Sequence, residues 1–324
     1  FKDSYISVEH VMLAIMDIDS KGIVGKILKT FNITKDGFLN ILFKLMDEEK
    51  PDYLAVAFDL HAPTFRHKEF DGYKGTRKGM PDELRTQMPL LKEMLQAMNI
   101  QTYEMEGYEA DDILGTLSAK AEEQGVVPVV VSGDRDLLQL ASETLKVRIP
   151  KTKGGRTETE DYYAKDVVEK YGVTPLEFID VKALMGDASD NIPGVPGIGE
   201  KTAAKIIQEY HDLENAIAHA SEVKPKKAAE NLAEFQAQAR LSKFLATIIR
   251  DMPISLDKEG TKIGNMFNAT AYDLVKRLEL KSMFDRFGAS DKSFVFKRTR
   301  FRPRKYKIFM VYILLTKVRF FFKT

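Results

Sequence analysis

The chain has 324 residues, 44% of them apolar, enough for more than one domain with a buried core. It contains no cysteine and no tryptophan, which excludes disulfides and thiolate-held zinc and fits a reducing, cytoplasmic setting. The net charge of +1 conceals a division: residues 291–324 hold eleven Lys or Arg against one acid, leaving 38 basic and 47 acidic residues in 1–290, a net of −9. A nucleic-acid partner would therefore be met by local basic patches, not by a global positive field.

The opening residues FKDSYISVEH do not read as a secretory signal. Residues 1–43 read as helical, with apolar stripes Val8, Val11, Met12, Ile15 and then Ile23, Ile27, Leu28, Phe31, and a third helix spans roughly 36–49. The pattern then changes. YLAVAFD at 53–59 reads as a buried strand, 81–99 as an amphipathic helix opened by Pro81, QTYEM as a strand, 109–124 as a helix and VPVVVS as a strand. A short helix from Asp136 and the strand LKVRIP follow, and the chain is helical again from about 164. Strands alternating with helices predict a parallel α/β sheet. After about 288 a basic, aromatic stretch leads to the apolar run IFMVYILL, too short to span a bilayer. This tail reads either as an irregular extension or as a nucleic-acid-binding segment.

Acids gather beside glycine in GYEADD at 107–112, SGDRD at 132–136 and MGDASDN at 185–191. Like charges held together raise one another's pKa unless a cation intervenes, and hard divalent ions take oxygen ligands. Open α/β sheets bind ligands at the carboxyl ends of their strands, where Asp59 and Asp134 fall. Glu109 and Asp112, three apart at a helix start, share a face. Asp111 is either a ligand or a solvated neighbour of the others. Two-metal sites hydrolyse phosphodiesters, so the pattern points to a metal-dependent nuclease.

GVPGIGEKTAAK at 194–205 fits a helix–hairpin–helix, in which glycines let backbone N–H groups approach a phosphate at a helix N-terminus. Gly194 opens the segment, Gly197, Gly199 and Ala203 fit the pattern, and Lys201, Thr202 and Lys205 would add side-chain contacts; a plain turn between helices is the alternative. FRHKEFDGYKGTRKG at 65–79 interleaves basic and aromatic residues, which suits phosphate contact and base stacking. Lys74, Arg77 and Lys78 are better phosphate clamps than general bases. His61 and His67 lack the spacing for metal or triad chemistry.

Together EEKPDYLAVAFD, PTFRHKEFDGYKGTRKGMPDELR, GYEADDILGTL, SGDRDLLQL and KALMGDASDNIPGVPGIGEKTAAKII resemble the 5′ nuclease domains of bacterial DNA polymerases, members of the flap endonuclease family, from about Asn40 to Gly288. The resemblance implies an α/β sheet flanked by helices with a helix–hairpin–helix subdomain. It implies that Asp59, Glu109, Asp111, Asp112, Asp134, Asp136, Asp187 and Asp190 surround two or more Mg2+ or Mn2+ ions. Lys74 and Arg77 would hold the scissile phosphate and Tyr73 would stack on the terminal base. The hairpin would grip the duplex, with K+ bound. The reaction implied is 5′→3′ exonucleolysis and removal of 5′ flaps or RNA primers from nicked or flapped DNA, by a monomer in the bacterial cytoplasm and with no membrane partner.

Two departures qualify that expectation. Residues 1 to about 43 resemble instead part of the N-terminal domain of ClpB-type Clp ATPases, and the family's first strand, which ends in a metal-ligating aspartate at the middle of the sheet, is not found there. Asp17 and Asp19 are weak substitutes, because they end a helical pattern. The expected division is a Clp-like fragment at 1–43, an α/β nuclease domain at 44–163, a helical DNA-binding subdomain at 164–288 and an unrelated tail at 289–324. The rival expectation is a structure-selective DNA binder whose catalysis is impaired by the absent ligand.

Overall fold

The computed structural model describes residues 38–77, 79–80, 82–153, 156–288 and 307–312. The expected helices before residue 38, with Asp17 and Asp19, lie outside them, as do Lys78 and Pro81. The chain divides into two compact units, one of 1–50, 80–99 and 265–298 and one of 51–79, 100–264 and 299–324.

The described part of the first unit is helical: α1 (38–49), α3 (Asp82–Ala97), α11 (Ala269–Arg277) and α12 (Phe284–Gly288). α1 turns Leu39, Leu42, Phe43, Leu45 and Met46 inward, a 3.6-residue stripe. Phe43 and Phe287 both pack on Phe267, at ring-centroid distances of 5.5 and 4.9 Å. Asn268 caps α11, accepting from the Ala271 N–H at 3.0 Å.

The second unit is built on a six-stranded sheet: β1 (Tyr53–Ala57), β2 (Gln101–Tyr103), β3 (Val127–Val131), β4 (Lys146–Lys153), β5 (Arg156–Tyr162) and β6 (Lys307–Tyr312). Their order is β2-β1-β6-β3-β4-β5, parallel except for the antiparallel edge β4–β5. β1 is buried along its whole length and β3 along all but its first residue, because each is flanked on both sides by strands and its continuous apolar sequence suits burial on both faces. α4 (Ala110–Glu123) packs Ile113, Leu114 and Leu117 into the same core.

β6 corrects the expectation of an irregular tail and of a sheet without its middle strand. Its residues pair in parallel with β1, from Tyr53↔Ile308 to Ala57↔Tyr312, and with β3, from Val127↔Lys307 to Val131↔Val311. Ile308, Phe309, Met310 and Val311 are all buried. The backbone groups of β1 and β3 that would otherwise face each other across a gap are thus satisfied. β5 was not anticipated either: RTETEDY is polar, and it forms a strand by pairing in register with β4 at the sheet's edge.

Helices complete the unit: α2 (Phe65–Glu69), α5 (Ala164–Tyr171), α6 (Pro175–Met185), α7 (Glu200–Tyr210), α8 (Leu213–Ala218), α9 (Lys226–Glu234) and α10 (Gln236–Ala246). α6 starts at a capping box, Thr174 Oγ1 accepting from the Glu177 N–H at 3.2 Å and Glu177 returning to the Thr174 N–H at 2.7 Å. It ends at Gly186, φ +71°, which packs against Gly194, φ +62°; a Cβ on Gly194 would fall 2.4 Å from the Gly186 nitrogen. Both positions therefore require glycine for conformation and for space.

Candidate active site

The parallel strands end along one edge, and the acids follow from that edge. Asp59 stands just beyond β1 and accepts from the Ala110 N–H at 2.8 Å, which fixes it against the start of α4. Glu109 is the N-cap residue of α4. Asp134 follows β3 and caps the 3₁₀ helix Arg135–Leu140, accepting from the Asp136 N–H at 3.0 Å. Asp187 and Asp190 occupy the turn after α6, which the paired bonds between Asp187 and Ile192 close at 2.9 and 2.8 Å.

Basic residues are folded in among these acids. Lys74 lies 2.6 Å from Glu109, whose other oxygen accepts from the Tyr73 hydroxyl at 3.2 Å. Arg77 pairs with Asp190 and donates from Nε to the Ser189 carbonyl at 3.1 Å. Lys182 reaches two acids, Asp136 at 2.9 Å and Asp187 at 2.6 Å. Among the described residues no three Asp, Glu or His side chains converge as a ready-made metal cage. Five of the eight expected acids are instead paired with internal cations: Glu109 with Lys74, Asp112 with Arg66, Asp190 with Arg77, and Asp136 and Asp187 with Lys182.

Asp111 is the exception. Its Oδ1 is shut off from solvent and has no hydrogen-bond partner among the described residues. Burial, and then the charges of Asp134, Asp59 and Glu109, push its carboxyl well above the usual range, against a smaller opposing effect of Lys74. Such an oxygen, under the negative charge of three further carboxylates, is what a hard cation satisfies, so the residues present fit a divalent ion. Asp187 has the opposite balance: burial raises it, but the Lys182 ammonium and the Ser189 donors outweigh burial and hold it below the usual range.

Asp112 departs from the expected ligand role. It is buried and accepts four protein bonds: from Arg66 Nη1 and Nη2 at 2.7 and 2.8 Å, the Glu109 N–H at 3.0 Å and the Ile249 N–H at 2.9 Å. Those bonds use up the acceptor capacity of a carboxylate. Arg66, only 2% exposed, also donates to the Leu245 and Thr247 carbonyls at 2.9 and 2.6 Å, tying α2 to the end of α10 and the start of α4. Sequence reading missed both Arg66 and Lys182. A lysine inside the apolar run of α6 was the available signal, since a lysine buried there requires acids facing it.

Tyr73 is likewise corrected. Its ring is 4% exposed and packs with Ile192, Leu245 and Ala246, so it is not presented to a base in this state. The 70–77 segment turns inward because its backbone is tied to the acidic turn: the Lys74 N–H to the Asp190 carbonyl at 2.8 Å and Asn191 Nδ2 to the Gly72 carbonyl at 2.6 Å. In the hairpin, Gly197 and Gly199 are exposed ahead of α7, with Lys201 and Lys205 exposed and Thr202 partly so on its first turns. Gly194 is buried, its N–H on Ser242 Oγ at 3.0 Å and its carbonyl on Gln238 at 2.7 Å; its peptide has no donor left for a phosphate.

Comparison with known proteins defines the class. Residues 29–172 match the 5′-3′ exonuclease N-terminal resolvase-like domain, and residues 173–268 match the 5′-3′ exonuclease C-terminal SAM fold. Residues 29–268 thus belong to the 5′-3′ exonuclease family, whose members are nucleases that hydrolyse phosphodiester bonds. The match reaches back to residue 29, so the Clp-like reading of the first 43 residues is not supported. DNA polymerase I of Bacillus caldotenax is 47% identical over 250 residues, 77% of this chain; the chain spans 28% of that relative's length. The fold is that of T5 5′-exonuclease with bound zinc, at a TM-score of 0.56 and 20% identity over 86% of this chain and 94% of that one. The T5 flap endonuclease in a pseudo-enzyme-product complex with DNA and metal ions gives 0.54 and 20% over 78% and 89%. No helix among the described residues is long and apolar enough to cross a membrane.

Proposed function

We propose that this chain is a 5′→3′ exonuclease and flap endonuclease holding two or more divalent ions, magnesium or manganese, at Asp59, Glu109, Asp111, Asp134, Asp136, Asp187 and Asp190. The observation that carries this reading is the buried Asp111 oxygen, without a hydrogen-bond partner among the described residues and under the charge of Asp134, Asp59 and Glu109. Divalent ions bound there supply charge stabilisation to a phosphodiester and activate water. Asp112 orients Glu109 through its backbone N–H and is itself held by Arg66. Lys74 and Arg77, paired here with Glu109 and Asp190, would hold the scissile phosphate.

Gly197, Gly199, Lys201, Thr202 and Lys205, with Lys78, contact the phosphates of a flapped or nicked duplex or of an RNA primer–DNA hybrid, and K+ sits at the hairpin. Catalysis falls to 44–163 and duplex binding to 164–288, in a monomer working in the bacterial cytoplasm. One observation favours the second reading, a DNA binder with weak catalysis. The strand between those leading to Asp59 and Asp134 runs Lys307–Tyr312, and no Asp or Glu follows it in the sequence.

The test is a 5′-labelled flap duplex incubated with the full chain in Mg2+ or Mn2+ and in EDTA, beside Asp134→Ala. Cleavage near the flap junction, lost in EDTA and at least about 100-fold slower in the variant, is the expected result. Binding without cleavage selects the second reading, and no binding overturns both.

A further inference from the structure

Side chains of α9 and α10 hold the hairpin ahead of α7 from behind. Gly194 is fixed at one end, its N–H on Ser242 Oγ at 3.0 Å and its carbonyl on Gln238 Nε2 at 2.7 Å. The Val195 N–H reaches the Leu184 carbonyl at 2.7 Å, and the Ile198 N–H closes back on the Val195 carbonyl at 3.1 Å. At the other end Asn231, on α9, donates from Nδ2 to the Pro196 carbonyl at 2.6 Å. Gly197 and Gly199 are exposed, and their N–H groups have no hydrogen-bond partner among the described residues. The Pro196 carbonyl and the Gly197 N–H belong to one planar trans peptide, so they point in opposite directions. An amide that draws the carbonyl toward α9 therefore turns the N–H away from α9. The same bond polarises the peptide and strengthens that N–H as a donor. Gly197 stands at φ +76°, and a Cβ there would lie 3.3 Å from Asn231 Nδ2, so glycine leaves room for the contact.

We propose that Asn231 is a positioning residue for the hairpin: by holding the Pro196 carbonyl it aims the Gly197 N–H at a phosphate of the duplex. This inference rests on the reading that the hairpin grips duplex phosphates. Asn231 touches no DNA itself and acts through the peptide it orients. Without its amide the Pro196–Gly197 peptide turns more freely, and the N–H must be ordered again each time a phosphate binds. The contact that Asn231 supports carries no formal charge. It differs in this from the contact made by Lys201, which brings an ammonium to the backbone and releases counterions.

The experiment follows fluorescence anisotropy of a labelled flap duplex with the full chain in EDTA, over a range of salt concentrations. Single-turnover cleavage in Mg2+ and thermal melts accompany it. The proteins are wild type, Asn231→Leu, Asn231→Gln and Lys201→Ala; the glutamine keeps an amide donor should the leucine variant not fold. Asn231→Leu should bind the duplex about fivefold or more weakly, with the slope of log affinity against log salt unchanged. Lys201→Ala should lower that slope by about 1. Asn231→Gln should bind close to wild type, and cleavage with the duplex saturated should move far less than affinity in either Asn231 variant. If Lys201→Ala weakens binding and Asn231→Leu does not, the proposal about Asn231 falls. It falls too if the glutamine variant is as weak as the leucine one, or if the weakening only tracks a lost fold in the melts. If wild type does not bind the duplex, or neither Lys201→Ala nor Asn231→Leu changes binding, the hairpin reading falls with it.

Discussion

Asp111 and Asp187 are both buried carboxyls, and burial is the largest influence on each, yet one is pushed up and the other held down. The difference lies in what was folded in beside them. Asp187 received the Lys182 ammonium and two Ser189 donors. Asp111 received three more acids, with Lys74 in opposition. Low dielectric amplifies whichever charge is nearest, so burial alone does not set the sign. One half of the site is neutralised from within, and the other is left with a use for a cation from outside.

The largest effect should come from taking away the strand that sets the first half apart. With β6 between them, β1 and β3 stand two strand spacings apart, about 9.6 Å, and so therefore do the segments leading to Asp59 and Asp134. Phe309→Asp places a charge at a position with no solvent exposure in that middle strand. Loss of the ring and burial of an unpaired carboxylate should cost at least about 4 kcal/mol. Circular dichroism should show loss of cooperative melting, in Mg2+ as in EDTA. A variant that melts like wild type would remove β6 from the sheet.

That strand also shows where legibility ended. YLAVA and VPVVV were readable because each is a continuous apolar run bounded by breaks, and the acids just past them followed from the strand-end rule. KIFMVY is equally apolar, but nothing local assigns it a place between two strands more than 170 residues earlier in the chain, since pairing is set by topology. The polar β5 gave no hydrophobic signal at all. At the site, sequence found the acids and missed what holds them: Lys182 is marked only by its place in an apolar run, and Arg66 resembles any other surface cation until burial is known. Tyr73 was placed outward for the same reason.

The next effect concerns the pair that positions Glu109. Arg66→Met leaves Asp112 buried without its bidentate partner, a change expected to cost about 3–5 kcal/mol. Arg66→Met combined with Asp112→Leu removes both charges and should recover a good part of that, leaving the unpaired N–H groups of Glu109 and Ile249 as the residual cost. Urea unfolding of the two singles and the double provides the cycle. If the double is no better than Arg66→Met, the two residues are not coupled, and Asp112 is free to serve as a metal ligand.

The smallest effect separates the two halves by sign. Asp111 has its folded pKa raised from 3.8, so in EDTA the folded protein keeps a proton that the unfolded chain has released. Its contribution is intact below about pH 4 and is lost as pH rises from there through the raised value, with a slope of at most about 1.4 kcal/mol per pH unit. Asp187, held below 3.8, acts in reverse: its contribution is present above that value and is lost as pH falls through the folded one. Asp111→Asn should therefore leave the acid limb of the stability curve in place and flatten the decline above it, making the metal-free variant relatively more stable toward neutral pH. Urea unfolding in EDTA from pH 4 to 8 measures this. With Mg2+ present the order should reverse, because the wild-type carboxylate then gains a partner that the amide cannot bind as well. Parallel curves in EDTA would mean that Asp111 is ionised and already compensated, and the contrast between the two halves would disappear.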